Sequence, residues 1–140
     1  MNSSTEQNLK PAIGIMGGMG PVATARFYEY LILSARKLLN SRLQQDYPRI
    51  FIDSLPVPDI IDGKYNPELL QQIKVGLLNS LHGLEKIGSR LIAIPCNTVH
   101  YFYSDLQSQT KYEVLHIMRT TLRRAKLSGH TKLGILGTVV

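Results

Sequence analysis

Ala12-Ile13-Gly14-Ile15-Met16-Gly17-Gly18-Met19-Gly20-Pro21 is the stretch that decides the fold. Ala12–Met16 is a short, mostly apolar run that breaks at Gly17-Gly18, the pattern of a buried strand running into a turn. Pro21 suits the first turn of a helix, where its missing N–H costs no hydrogen bond. The strongly apolar stretch from Val22 to Leu39 contains no breaker and is predicted as that helix. A buried strand, a glycine turn and a helix together make one βα unit.

The same unit recurs downstream. Arg49–Ser54 reads as a second strand, with Ile50 and Ile52 on one face and Phe51 on the other. Leu55 to Asn66 carries Pro56, Pro58 and Gly63 and reads as a loop. Pro67 then opens the clearest amphipathic helix in the chain. Leu70, Ile73, Leu77, Leu81, Leu84 and Ile87 recur at spacings of three and four, and Gly88 suits the residue just past its end. Leu91–Ile94 is the third strand, Val99–Gln107 a short helix and Glu113–Leu115 a brief fourth strand. Ile117–Leu127 is a basic helix, Gly129 closes it, and Leu133–Leu136 is predicted as a fifth strand. Alternating strands and helices imply an α/β fold, a parallel sheet flanked by helices. Ligands bind such sheets beyond the carboxyl ends of the strands. Gly17–Pro21, Pro95–His100 and Gly137–Val140 are therefore expected on the functional edge.

Composition narrows the function classes. The chain has 140 residues, 44% of them hydrophobic, which suits one α/β domain with a core. The first residues, Met1 to Lys10, are polar and lack the apolar segment of a secretory signal. No run approaches the ~20 apolar residues of a membrane span. One cysteine, Cys96, cannot form an internal disulfide, so a cytoplasmic protein with a free thiol is expected. The net charge of +6 draws partly on Arg119, Arg123, Arg124 and Lys126. Met118, Leu122 and Ala125 keep helical spacing beside Arg119, Arg123 and Lys126, which reads as one apolar stripe next to one solvated stripe. No nucleic-acid motif accompanies this charge, and no nucleic-acid or membrane partner is expected.

Two segments carry candidate chemistry. The Gly17–Gly20 turn lets the backbone approach a ligand, and the helix start offers N–H groups to a small carboxylate or phosphate. A dinucleotide fingerprint is the rival. It fails from Gly14, because Met16 occupies the second glycine position. From Gly18 it is weakened by Pro21, although Asp53 at the end of the second strand keeps it in play. In Cys96-Asn97-Thr98-Val99-His100 a cysteine follows a strand at a helix start, where the local field favours thiolate. The plain alternative is a small buried hydrophobe. Asn97 and Thr98 add donors and acceptors, and His100 is expected one turn along, near the thiol. His82, His116 and His130 have no comparable setting, and no spacing indicates a metal site.

Ile13-Gly14-Ile15-Met16-Gly17-Gly18-Met19-Gly20-Pro21-Val22-Ala23-Thr24 resembles the opening of the aspartate/glutamate racemase family. Cys96-Asn97-Thr98-Val99-His100, after Leu-Ile-Ala-Ile-Pro, is similar to that family's first catalytic-cysteine motif. Lys132-Leu133-Gly134-Ile135-Leu136-Gly137-Thr138 resembles the segment that opens its second half. The resemblance implies the first half of a two-domain, pseudo-symmetric racemase with its active site between the halves. It further implies racemisation without pyridoxal phosphate or metal, by two cysteines facing each other across the substrate α-carbon. Inverting a centre needs a base and an acid on opposite sides.

Carried over, Cys96 matches the first catalytic cysteine. Asn97 and Thr98 match residues that hold the substrate's carboxylate and amino groups. Thr138 matches a substrate-contacting threonine, Gly18 belongs to the loop that shapes the cleft, and Met19 lines it. The substrate implied is a small amino acid or dicarboxylate.

Two departures stand out. No second cysteine is present. In addition, Ile60 follows Pro58-Asp59 where many aspartate racemases carry an arginine, with Lys64 a candidate substitute. The expected organisation is a flexible segment over residues 1–11, a first α/β domain over 12–130 bearing the glycine loop and Cys96, and the start of a second domain over 131–140. The natural chain is expected to continue beyond Val140 and to form a homo-oligomer. The alternatives are a non-catalytic ligand-binding half-domain and a related lyase or isomerase.

Overall fold

The computed structural model describes residues 11–58 and 66–135. Its strands are β1 (Ala12–Gly17), β2 (Ile50–Ser54), β3 (Ser89–Ala93) and β4 (Glu113–Val114). They form one parallel sheet in the order β2-β1-β3-β4. The helices are α1 (Pro21–Leu38), α2 (Pro67–Lys86), α3 (Tyr103–Ser108) and α4 (Ile117–Leu127). The chain leaves β1 toward β2, then crosses back to place β3 on the other side of β1. This reversal puts the topological switch point between the carboxyl ends of β1 and β3.

α2 forms where the apolar spacing indicates. Asn66 caps it by accepting a 2.8 Å hydrogen bond from the Glu68 N–H, and Pro67 fills the first helical position. Glu68 lies in the first turn and Lys86 in the last, both favourable to the helix dipole. Gly88, at φ +108°, carries the chain onward in a conformation suited to glycine. Ile73, Leu77, Leu81 and Leu84 are buried and meet Met16, Ile92 and Val114 of the sheet. Each such side chain contributes about 1.5–3 kcal/mol through burial. Val99, Phe102 and Leu106 complete this core from the segment after β3. Phe51 packs against it, opposite to Ile50 and Ile52 as strand alternation requires.

The other face is thinly covered. α1 and α4 flank a groove of about 390 Å³ whose floor includes Ala93, Ile94 and Pro95. α1 buries only Thr24 and Ala35, leaving Tyr30 63% and Leu33 53% exposed. α4 buries no residue. The stripe expected to face a core, Met118, Leu122 and Ala125, instead leaves Met118 and Leu122 about half exposed. Amphipathic spacing specifies a face able to be buried, and nothing among the described residues covers this one.

Two further expectations are corrected. Val99–Gln107 is not one α-helix: residues Thr98–Phe102 form a 3₁₀ turn that passes into α3. Residues 131–135 are irregular rather than strand, and Ile135 is 92% exposed. Leu136, the Gly137–Val140 turn and Thr138 lie outside the described residues, as do Asp59, Ile60 and Lys64. No helix among the described residues is long and apolar enough to cross a membrane.

Candidate active site

The site is assembled at the switch point. In the β1–β3 ladder Ile15 lies opposite Ala93, the last residue of β3, so the glycine loop and the segment bearing Cys96 leave the same edge of the sheet from adjacent parallel strands. In the β1–β2 ladder Gly17 lies opposite Ser54, and Met16 opposite half-buried Asp53. The glycine loop is thus flanked by the ends of β2 and β3.

The loop's shape follows from its glycines. Gly17 sits where a Cβ would lie 2.3 Å from the Thr24 methyl carbon. Gly18 has φ +88°, and a Cβ there would lie 2.3 Å from the Leu55 carbonyl oxygen. The chain after β2 therefore runs directly against the loop, and the Leu55 N–H donates to the Gly17 carbonyl at 3.1 Å. Thr24 holds the loop from inside. The Gly18 N–H donates to Thr24 Oγ1 at 2.9 Å, and that hydroxyl donates to the Gly20 carbonyl at 3.1 Å. The Gly18 amide is thus used within the loop. Gly18 therefore shapes the site through close approach. Thr24 is a site-forming residue that residue-by-residue reading missed. Its only sequence signal was its place in the motif.

Cys96 stands three residues past Ala93 and is half-buried. Cys96 and Met19 both pack against the rim of the α2-side core. Asn97, in a helical backbone conformation, is exposed and precedes the 3₁₀ turn, and Thr98 is its half-buried first residue. A 3₁₀ turn aligns fewer peptide dipoles than a long α-helix, so the field expected at this helix start is correspondingly smaller. Buried Val99 and Phe102 anchor the turn in the core. The edge thus presents a thiol, an amide and a hydroxyl beside a close-packed glycine loop. The groove on the α1–α4 side is lined by neither Cys96 nor the glycine loop.

His100 is buried at 5% exposure. Its Nδ1 lies 2.7 Å from the Cys96 carbonyl oxygen, and its Nε2 accepts the Ile117 N–H at 3.0 Å. The ring therefore serves the backbone of the Cys96 turn. His116, for which no functional setting was expected, packs its ring 5.3 Å from that of His100, centroid to centroid. It also caps α4 by accepting the Arg119 N–H in a long 3.5 Å bond. Burial, followed by electrostatic interaction with the neighbouring His100 ring and then with Arg119, holds His116 below its ordinary value. The His100–Ile117 and His100–His116 contacts join chain segments that sequence spacing alone does not bring together.

A profile of the Asp/Glu/hydantoin racemase family matches residues 16–139. The chain is 34% identical over 111 residues to the broad specificity amino-acid racemase RacX of Bacillus subtilis (strain 168), covering 79% of this chain and 48% of that protein. Among solved structures it resembles an aspartate racemase homologue from Pyrococcus horikoshii OT3, with TM-score 0.71 and 28% identity over 86% of this chain and 50% of that one. It also resembles the Picrophilus torridus aspartate racemase, with TM-score 0.63 and 30% identity over 86% and 49% of the two chains. The chain spans about half the length of each of these relatives. With matching profile, curated relative and fold, the chain belongs to the Asp/Glu/hydantoin racemase family.

Proposed function

We propose that Cys96 is one of the two proton-transfer groups of a cofactor-independent amino-acid racemase acting on aspartate, glutamate or a similar small substrate. The observation that supports this reading is that Cys96 follows β3, the parallel neighbour of β1, so that the segments bearing the thiol and the glycine loop both lie beyond the carboxyl ends of adjacent strands at the switch point. As thiolate, Cys96 removes the α-proton and becomes a thiol, and the electron pair left on the α-carbon delocalises into the carboxylate. An acid on the opposite face then delivers a proton and inverts the centre. In the reverse direction Cys96 gives its proton back. Asn97 and Thr98 hold the carboxylate and amino groups, Met19 and Gly18 form the near wall, and Thr138 contacts the substrate from the second half. Fixed donors around the carboxylate stabilise the charge that grows there.

In this proposal the opposing acid is a second cysteine, and the 140 residues hold one. A thiol acting alone returns its proton to the face it came from. We further propose a cytoplasmic location, where reducing conditions preserve the thiol, and a homo-oligomer.

The test compares the 140-residue chain with the product of its natural reading frame. Each is incubated with single enantiomers of aspartate and glutamate, and optical rotation is followed. The frame product is expected to lose optical activity, and the 140-residue chain is expected to retain it. Robust racemisation by the 140-residue chain overturns the two-group mechanism.

A further inference from the structure

We propose that His100 is a positioning residue, a two-sided latch that fixes the Cys96 turn to the first turn of α4. The ring is buried within the 3₁₀ turn, yet both nitrogens face backbone groups. The Ile117 N–H can donate only to a nitrogen that bears a lone pair, so Nε2 is unprotonated and Nδ1 carries the proton. Nδ1–H then donates to the Cys96 carbonyl at 2.7 Å. One neutral tautomer satisfies both bonds. The Leu115 carbonyl, 3.3 Å from Nε2, stands where the other tautomer would donate, but that form would forfeit both bonds. Tyr103 lies parallel to the imidazole at 6.3 Å, and His116 packs beside it. These two rings limit its rotation.

The consequence is mechanical. α4 buries no residue, so its start is located by backbone hydrogen bonds together with the packing of its cap His116 on the Tyr103 ring, 4.4 Å between centroids. The Leu115 N–H donates to the Ile92 carbonyl at 2.8 Å, and the Ile117 N–H donates to His100. Through His100 the start of α4 and the carbonyl of Cys96 hold one arrangement, and the half-buried thiol is kept against the core rim. Releasing the Cys96 carbonyl lets the turn open locally and exposes the thiol. The consequence of the latch for activity rests on the reading of Cys96 as a proton-transfer group, because only then does the precise seating of the thiol matter to turnover.

The test measures iodoacetamide alkylation of Cys96 in the 140-residue chain at pH 8, where no other cysteine competes. His100→Asn retains a donor at the Nδ1 position and loses the reach to Ile117. His100→Gln retains a group at the Nε2 position and loses the Cys96 bond, and His100→Phe loses both. The expected result is alkylation within two-fold of the native rate for His100→Asn. His100→Gln and His100→Phe are expected to react at least three-fold faster.

Thermal midpoints are measured alongside. Rates that follow the midpoints instead of the retained donor, or His100→Asn reacting as fast as His100→Gln, overturn the latch. A second measurement needs no variant: the long-range ¹H–¹⁵N spectrum of the native chain is expected to show His100 as the Nδ1–H tautomer, and an Nε2–H tautomer overturns the proposal. Neither readout involves turnover. Failure here leaves the assignment of Cys96 to proton transfer standing, and a racemase indifferent to Cys96 leaves the latch standing.

Discussion

Gly18 combines a positive φ with a backbone neighbour where its Cβ would be. Alanine there meets two separate penalties, an unfavourable backbone conformation and a clash with the Leu55 carbonyl that no rotamer change relieves. Gly18→Ala is expected to destabilise the chain by about 2–5 kcal/mol, read as a lower urea midpoint. An unchanged midpoint would mean the loop is not held against Leu55. The glycine motif was legible in the sequence because glycine has few reasons to repeat at a strand-to-helix turn. The position of Cys96 after a strand was legible for the same kind of reason. Thr24 was not, since a hydroxyl in the first turn of a helix points to solvent as readily as back into a loop. The His100 ring was expected near the thiol, but its partners at Cys96 and Ile117 are backbone groups. Backbone partners leave no pattern of side chains to read.

α2 and α4 have similar amphipathic spacing and different burial. Leu77 of α2 is fully buried, whereas Leu122 of α4 is 52% exposed. Leu77→Ala is expected to cost about 2–5 kcal/mol, and Leu122→Ala to stay within about 0.5 kcal/mol of the native chain. Equal losses in denaturant titrations would show that α4 is packed. Spacing thus located both helices, with α4 at the bounds expected, but it did not say what covers them. The fifth strand failed as an expectation for a related reason. Short apolar runs take strand form only where a neighbouring strand offers hydrogen bonds, and residues 131–135 meet none.

The cap of α4 adds a pH dependence. His116 must be unprotonated at Nδ1 to accept the Arg119 N–H. Its folded-state pKa is lowered, chiefly by burial. The unfolded chain therefore binds the proton first as pH falls. The contribution to stability is fully present above about pH 6.5 and is lost as pH drops through the lowered folded value. His116→Asn supplies a cap that does not titrate. It is expected to remove this component of the pH–stability profile while holding stability within about 1 kcal/mol at pH 7.5. A profile of unchanged slope would contradict the assignment.

At the scale of the whole molecule, the two faces of the sheet are unequal. The α2 side is a closed core, while α1 and α4, which flank the groove, leave Tyr30, Leu33, Met118 and Leu122 at half exposure or more. Apolar surface of this kind tends to be covered by association. The 140-residue chain is expected to show a sedimentation coefficient that rises with concentration, and a concentration-independent monomer would contradict this. The α/β architecture was legible from the alternation of elements, and the strand order β2-β1-β3-β4 sets the switch point between β1 and β3.

The central claim is that Cys96 moves the α-proton. The most direct measurement follows single enantiomers of aspartate and glutamate in deuterated water with the product of the natural reading frame and its Cys96→Ala variant, recording α-deuterium and optical rotation together. The native protein is expected to invert the centre with deuterium incorporation. Cys96→Ala is expected to lose about 10²–10⁴-fold of that rate in both directions. Inversion by Cys96→Ala at the native rate would contradict the account.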